Sequence, residues 1–169
     1  NYNNVYCPEY YGGHKVAAID NISVGRSAVF YLGNNMDDIS YLLAKEGVEG
    51  IYMPSDNKAI ISRKGALYIN DGDVISLAYV PHIKDEYFAM MEGCEALYYS
   101  VISKKCNLKR LVLAQSLRYV AEYAISDTDL KTLTLPRFVE TVEDHAVFNN
   151  KNLTEIYLEG DASEGLTDM

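Results

Sequence analysis

The chain of 169 residues is long enough for one domain with a sizeable core, and its 49% hydrophobic and 23% charged residues are globular in composition. The formal net charge of -9 argues against a nucleic-acid partner, which needs a basic face, and against adhesion to anionic lipid. No apolar run reaches the roughly 18 residues of a membrane span, and no signal peptide is visible at Asn1, although a chain without an initiator Met is open to having lost a leader.

In chain order, Asn1 to Asn4 reads as a polar lead-in and Val5 to Ile19 as two extended pieces around Gly12-Gly13. Ser27 to Leu32 has strand composition, ended by Gly33-Asn34-Asn35. Met36, Ile39, Leu42 and Leu43 have helical spacing, which predicts a helix from Met36 to Lys45, stopped by Gly47. Val48 to Pro54 has the same frame as Leu130 to Pro136 further on and reads as a repeat strand. Ala66 to Asn70 and Val74 to Val80 read as two strands of a hairpin turning through Asp71-Gly72. Tyr87, Met90, Met91, Cys94, Leu97, Tyr98 and Val101 fall on one helical stripe, which predicts a helix over 84–103. Such a stripe is either a docking face or the core side of the helix, with Tyr87, Met91, Cys94 and Tyr98 turned inward. If the segment is extended instead, Ala96 to Ser103 becomes an extra strand.

From Leu108 one pattern is written twice and begun a third time. Leu108, Leu111, Leu113, Leu117, Val120 and Ala124 recur as Leu130, Leu133, Leu135, Val139, Val142 and Ala146, and then as Leu153, Ile156 and Leu158. The step is 22 from Leu108 to Leu130 and 23 from Leu130 to Leu153, which is the period of a leucine-rich solenoid. Side chains alternate along a strand, so Leu111 and Leu113 point inward while Arg110, Val112 and Ala114 point outward. A single coil cannot bury its own apolar face. Stacked coils bury a continuous core and line one face with parallel strands. The fold class is therefore α/β, a right-handed leucine-rich-repeat solenoid with a parallel strand-lined face and an irregular N-terminal half. One domain spans 1–169, with irregular repeats over 5–104, regular repeats over 105–160 and a polar tail over 161–169 that is either loose or a terminal cap.

Leu130 through Phe148, with its L-x-x-L-x-L-P-x-x-V-x-x-V-x-x-x-A-F pattern, resembles the BspA-like branch of leucine-rich repeats. Tyr6-Cys7-Pro8 through Ile19 is similar to the opening segment of that branch, and Ser62 to Tyr68 resembles its S-x-D-G-V-L-Y segment, with Lys64 where Asp is usual. The likeness is good over 105–160, fair over 5–20 and 48–81, and poor over 21–47 and 82–104. It implies a protein of bacterial cell surfaces, also found in some protists, with adhesion-type binding, for example to host matrix proteins.

Motifs that carry chemistry are missing. Cys7, Cys94 and Cys106 are odd in number, lack metal spacing and read as small buried or half-buried thiols. His14, His82 and His145 stand alone, and no hydrolase, phosphate-loop or zinc motif occurs. Asp37-Asp38 and Asp71-Gly72-Asp73 are acidic turns without calcium-loop spacing. Asn21 and Asn152 head glycosylation sequons, of consequence only in a eukaryotic secretory pathway. The 15 tyrosines, with no Trp, suit either a recognition surface or a core in which Tyr replaces Leu and Phe. The expectation is thus a non-enzymatic module that binds an extracellular protein or glycan, without cofactor, metal, nucleic acid or membrane insertion. It would be secreted or surface-exposed. The alternative is an accessory or regulatory domain of an enzyme, with a site in the irregular N-terminal half. The candidate binding residues are Arg110, Val112, Thr132, Thr134, Glu155, Tyr157 and Glu159, in the outward columns Arg110-Thr132-Glu155, Val112-Thr134-Tyr157 and Ala114-Pro136-Glu159. The same columns could equally be a solvated sheet face, with the partner elsewhere.

Overall fold

The computed structural model describes residues 3–20, 22, 24, 27–44 and 47–160. The Asn21 sequon, Lys45 at the end of the expected helix, and the tail 161–169 lie outside the described residues. The first strands are β1 (Asn4–Tyr6), β2 (Tyr10–Tyr11), β3 (His14–Lys15), β4 (Ala28–Tyr31) and, after the short helix α1 (Ser40–Ala44), β5 (Val48–Tyr52). The middle holds β6 (Ile60–Arg63), β7 (Ala66–Asn70), β8 (Ile75–Tyr79), β9 (Tyr87–Ala89) and β10 (Ala96–Leu97). A single 3-10 turn, Lys104–Cys106, leads to β11 (Arg110–Val112), β12 (Tyr119–Val120), β13 (Ile125–Ser126) and β14 (Thr132–Leu135). The described chain closes with β15 (Thr141–Val142), β16 (Val147–Phe148) and β17 (Glu155–Leu158).

The strands stack as the repeat demands. On the front, β1, β4 and β5 form one parallel ladder, β9 and β11 a second, and β14 and β17 a third. On the back, β8, β10, β12 and β15 pair in parallel, and the antiparallel strands β7 and β6 extend that sheet. The fold is a leucine-rich-repeat solenoid built mostly of short strands. Coils also run through the half that the sequence marks as irregular, because β1, β4 and β5 are front strands like the later ones.

The helix expected over 84–103 is absent, and the segment is a further coil carrying β9 and β10. The reason lies in the repeat itself. Met90, Cys94, Leu97 and Val101 stand at the spacing of Leu113, Leu117, Val120 and Ala124, one period earlier. That spacing, i, i+4, i+7 and i+11, is also the apolar stripe of a helix. Backbone in the left-handed region at Gly93 and Ser100 breaks any helix there. Cys94 is buried as expected and Met91 half-buried, but Tyr87 and Tyr98, which only the helical stripe turned inward, are exposed. The turn at Ser100 recurs at Tyr123 and His145, with φ of 52°, 54° and 56°. The helix expected from Met36 to Lys45 shrinks to the five residues of α1, whose start is held by Asp38 Oδ1 accepting from the Ser40 N–H at 3.0 Å.

The buried side chains form two clusters. One gathers Phe30, Met36, Leu42 and Ile51, and the other runs from Leu77 and Leu97 to Leu117, Leu133 and Ala146. The β7–β8 hairpin joins them. Successive residues of β7 point to opposite sides, so Leu67 enters the first cluster while Ala66 and Tyr68 enter the second. Two buried phenols tie the hairpin down on either side. Tyr79 donates to the Val48 carbonyl at 2.7 Å, and Tyr68 accepts from the Met91 N–H at 3.0 Å.

Burial raises every one of these groups above its ordinary pKa. The Cys94 thiol is pushed from 9.0 to about 12 and the Tyr68 phenol from 10.0 to about 12, while Tyr79 and Cys106 are also pushed up. A group held higher in the fold than in the unfolded chain contributes stability below its unfolded value and loses it as pH climbs toward the folded one. Melting temperature should therefore hold to about pH 8.5 and fall steadily from there toward pH 12. A flat profile across that range would show that these groups titrate normally.

Leu133 is 1% exposed, whereas Val142, expected in the core, only packs half-buried against it, and Thr134 is half-buried rather than open. Leu133→Ala should cost about 2–5 kcal/mol in urea unfolding. Thr134→Asp should cost no more than about 1 kcal/mol, and Val142→Asp should fall between the two. Equal losses for Leu133→Ala and Thr134→Asp would contradict the inside-outside assignment.

Candidate binding face

The front strands bring the sequence-predicted residues together. In β14 and β17, Thr132 stands opposite Glu155 and Thr134 opposite Tyr157. Arg110, Val112, Thr132, Glu155, Tyr157 and Glu159 are all exposed. Two members of the third column are not. Ala114 and Pro136 are buried, which corrects their outward assignment. The alternation stops at the strand ends, Val112 and Leu135, where the chain turns inward.

Several of these side chains are held in place. The Arg110 guanidinium sits 4.7 Å over the Tyr87 ring, a cation–π contact across the β9–β11 pair. Beside it Lys109 Nζ lies 2.7 Å from Glu86 Oε1. Tyr157 donates to Glu155 at 2.7 Å, and this bond holds the phenol proton on, above its ordinary pKa. Gln115 Nε2 donates to Glu159 Oε2 at 2.9 Å.

The sequence reading missed the densest part of the face. Register puts Tyr6 opposite Tyr31 and Tyr31 opposite Tyr52. Their rings stack at 4.8 Å and 5.4 Å with interplanar angles of 10° and 16°. Tyr6 is 70% exposed. One signal was available. In the Val48 to Pro54 frame, Tyr52 occupies the place of Thr134, so one outward column runs from Tyr6, Tyr31 and Tyr52 to Ala89, Val112, Thr134 and Tyr157.

Among the described strands the front ladder is interrupted twice, between β5 and β9 and between β11 and β14, which are not paired. At the first of these breaks a groove of about 400 Å3 opens, lined by Glu49, Tyr52, Lys64, Pro81, Tyr87 and Ala89 among others. Lys84 Nζ lies 3.8 Å from Glu49 across it. Gly65 makes the crossing behind the groove possible. Its φ is +80°, and a Cβ there would stand 3.0 Å from the Gly50 Cα.

The rest of the surface carries little chemistry. Among the described residues no group of three or more His, Cys, Asp and Glu is placed to hold a metal. The two acidic turns have structural work, since Asp71 Oδ1 accepts from the Asp73 and Val74 N–H groups and Asp38 from Ser40. His145 stacks on Tyr123, with Phe148 edge-on to both. In the N-terminal half a second cavity, of about 490 Å3, is lined by Asn34, Met36, Asp37, Asn57 and Lys58 among others.

No family model matches the chain, and no curated protein matches it. Among solved structures it is similar to the pneumococcal vaccine antigen PcpA, with a TM-score of 0.56 and 17% identity over 96% of this chain and 40% of that one. A leucine-rich cell-surface protein from Faecalibacterium prausnitzii gives a TM-score of 0.49 and 14% identity over 95% of this chain and 49% of that one. A leucine-rich repeat protein from Bacteroides capillosus gives 0.42 and 14% over 61% of this chain and all of that one. The chain thus spans less than half the length of PcpA and of the Faecalibacterium protein. At these identities the likeness is one of fold.

Proposed function

We propose that this chain is a non-enzymatic binding module that presents its strand-lined front to an extracellular protein or glycan. The observation that carries the reading is the outward column, in which stacked Tyr6, Tyr31 and Tyr52 at one end and Tyr157 at the other project from rigid strands. Aromatic anchors on a preorganised scaffold bury large area at little entropic cost, and such residues dominate binding energy at recognition surfaces. The candidate residues Arg110, Thr132, Glu155 and Glu159 set preference by charge and hydrogen bonding around those anchors. The names of the similar structures, a vaccine antigen and a cell-surface protein, support placement at or outside the cell surface. The module needs no cofactor or metal and engages neither nucleic acid nor the membrane interior.

Two double variants test the reading against arrays of extracellular proteins and glycans. Tyr157→Ala with Arg110→Glu, and Tyr31→Ala with Tyr52→Ala, should each keep the wild-type melting temperature within a few degrees. Each should weaken binding by about tenfold or more. Against a basic partner, binding by the wild type should also weaken with added salt. Unchanged binding by both variants would move the site off the front face, and turnover of a substrate that survives purification controls would overturn the binding-module reading.

A further inference from the structure

The two edges of the break between β5 and β9 differ in what their backbone donors meet. On the β5 side, the Ile51 N–H donates to the Gly65 carbonyl at 3.1 Å and the Met53 N–H to Ser62 Oγ at 3.0 Å, so these two donors are already taken. On the β9 side the situation is different. Among the described strands β9 pairs only with β11. The bonds to β11 are made at Glu86, whose carbonyl accepts from the Arg110 N–H at 3.0 Å, and at Met90, whose N–H donates to the Val112 carbonyl at 2.9 Å. Backbone groups alternate sides along a strand, so the N–H and C=O of Tyr87 and Ala89 face away from β11, toward the groove. Both side chains are exposed.

We infer that the groove between β5 and β9 accepts an extended polypeptide segment of a partner protein, which adds to the free edge of β9 as one more strand of the front sheet. The inference rests on the front-face reading above and narrows it to a peptide main chain. Two alternate residues with unpaired donors and acceptors match the repeating N–H and C=O of an extended chain, which is the chemistry of strand addition. The ladder that the segment would join already exists in β9 and β11, and the volume of about 400 Å3 is that of a ligand site. Tyr52 and Tyr87 wall the groove and would receive alternate side chains of the guest. Lys84 and Glu49, paired across the groove with Lys84 well exposed, would open to admit it.

The probe is a phage-displayed library of short random peptides selected against the whole chain, with the enriched peptides then synthesised. Ala89→Pro is the decisive variant. It removes an N–H that points into the groove and takes no part in the β9–β11 pairing, a place where proline is tolerated. It should leave the melting temperature nearly unchanged and weaken the peptides by about tenfold or more. A second measurement stands independent of that variant's folding. Methylating successive backbone amides of a peptide should abolish binding at every second position and spare the positions between. Failure to enrich any peptide, equal affinity for Ala89→Pro, tolerance of methylation at all positions, or binding of glycans alone would each overturn the inference. If enriched peptides are lost with Tyr157→Ala and Arg110→Glu but not with Ala89→Pro, the front face remains the binding face and the groove assignment falls.

Discussion

The solenoid depends on the β7–β8 hairpin being clamped between two cores. Stacked coils are stable only while each buries its neighbour's apolar face, and here the stack is interrupted by a strand, β7, that runs antiparallel to both its neighbours in the back sheet, β6 and β8. Continuity survives because one strand serves both sides. Leu67 fills the N-terminal cluster, Ala66 and Tyr68 fill the C-terminal one, and the Tyr68 and Tyr79 hydroxyls bond to the backbone of the flanking coils. Losing the Tyr79 phenol would leave the buried Val48 carbonyl without its partner, at a cost of about 1–3 kcal/mol, and losing Tyr68 would free the half-buried Met91 N–H at a lower cost.

The same hairpin shapes the front. Lengthening the coil between β5 and β9 sends the chain through Gly65 and Pro81, and the front strands on either side no longer meet. The result is a strand-lined face with an aromatic column on one side of a groove and a mixed polar column on the other. In a regular solenoid every inner strand is paired on both edges. Here the inner strands β9, β11 and β14 each keep one edge unpaired, and of these β9 borders the groove, where an unpaired edge is an attachment point by default.

Much of this was legible in the sequence, for definite reasons. The in-phase leucines of 108–158 placed β11, β14 and β17, because burial on one side of a strand leaves a fixed imprint. The hairpin was legible from Asp71-Gly72 between two apolar runs. The coil at 87–102 was not, because four apolar residues at i, i+4, i+7 and i+11 suit a helix and the back half of a coil alike, and the missing leucine at position 85 hid the period. Of the site, Arg110, Thr132, Glu155 and Tyr157 came from alternation alone. Ala114 and Pro136 failed because alternation does not extend past a strand's end. The tyrosine stack was hidden because Tyr6 and Tyr31 lie in coils whose leucine frame is eroded, so register could be assigned only from the strand pairing itself.

The most direct test of the account is amide hydrogen exchange resolved along β9. The Met90 N–H, bonded to the Val112 carbonyl at 2.9 Å, should be protected to nearly the extent of the core strands. The Tyr87 and Ala89 N–H groups, turned toward the groove, should exchange far faster. Alternating protection over these neighbouring residues would establish an inner strand with one open edge. Uniform protection of Tyr87, Ala89 and Met90 would mean that β5 and β9 are joined, and would contradict both the interrupted ladder and the groove built on it.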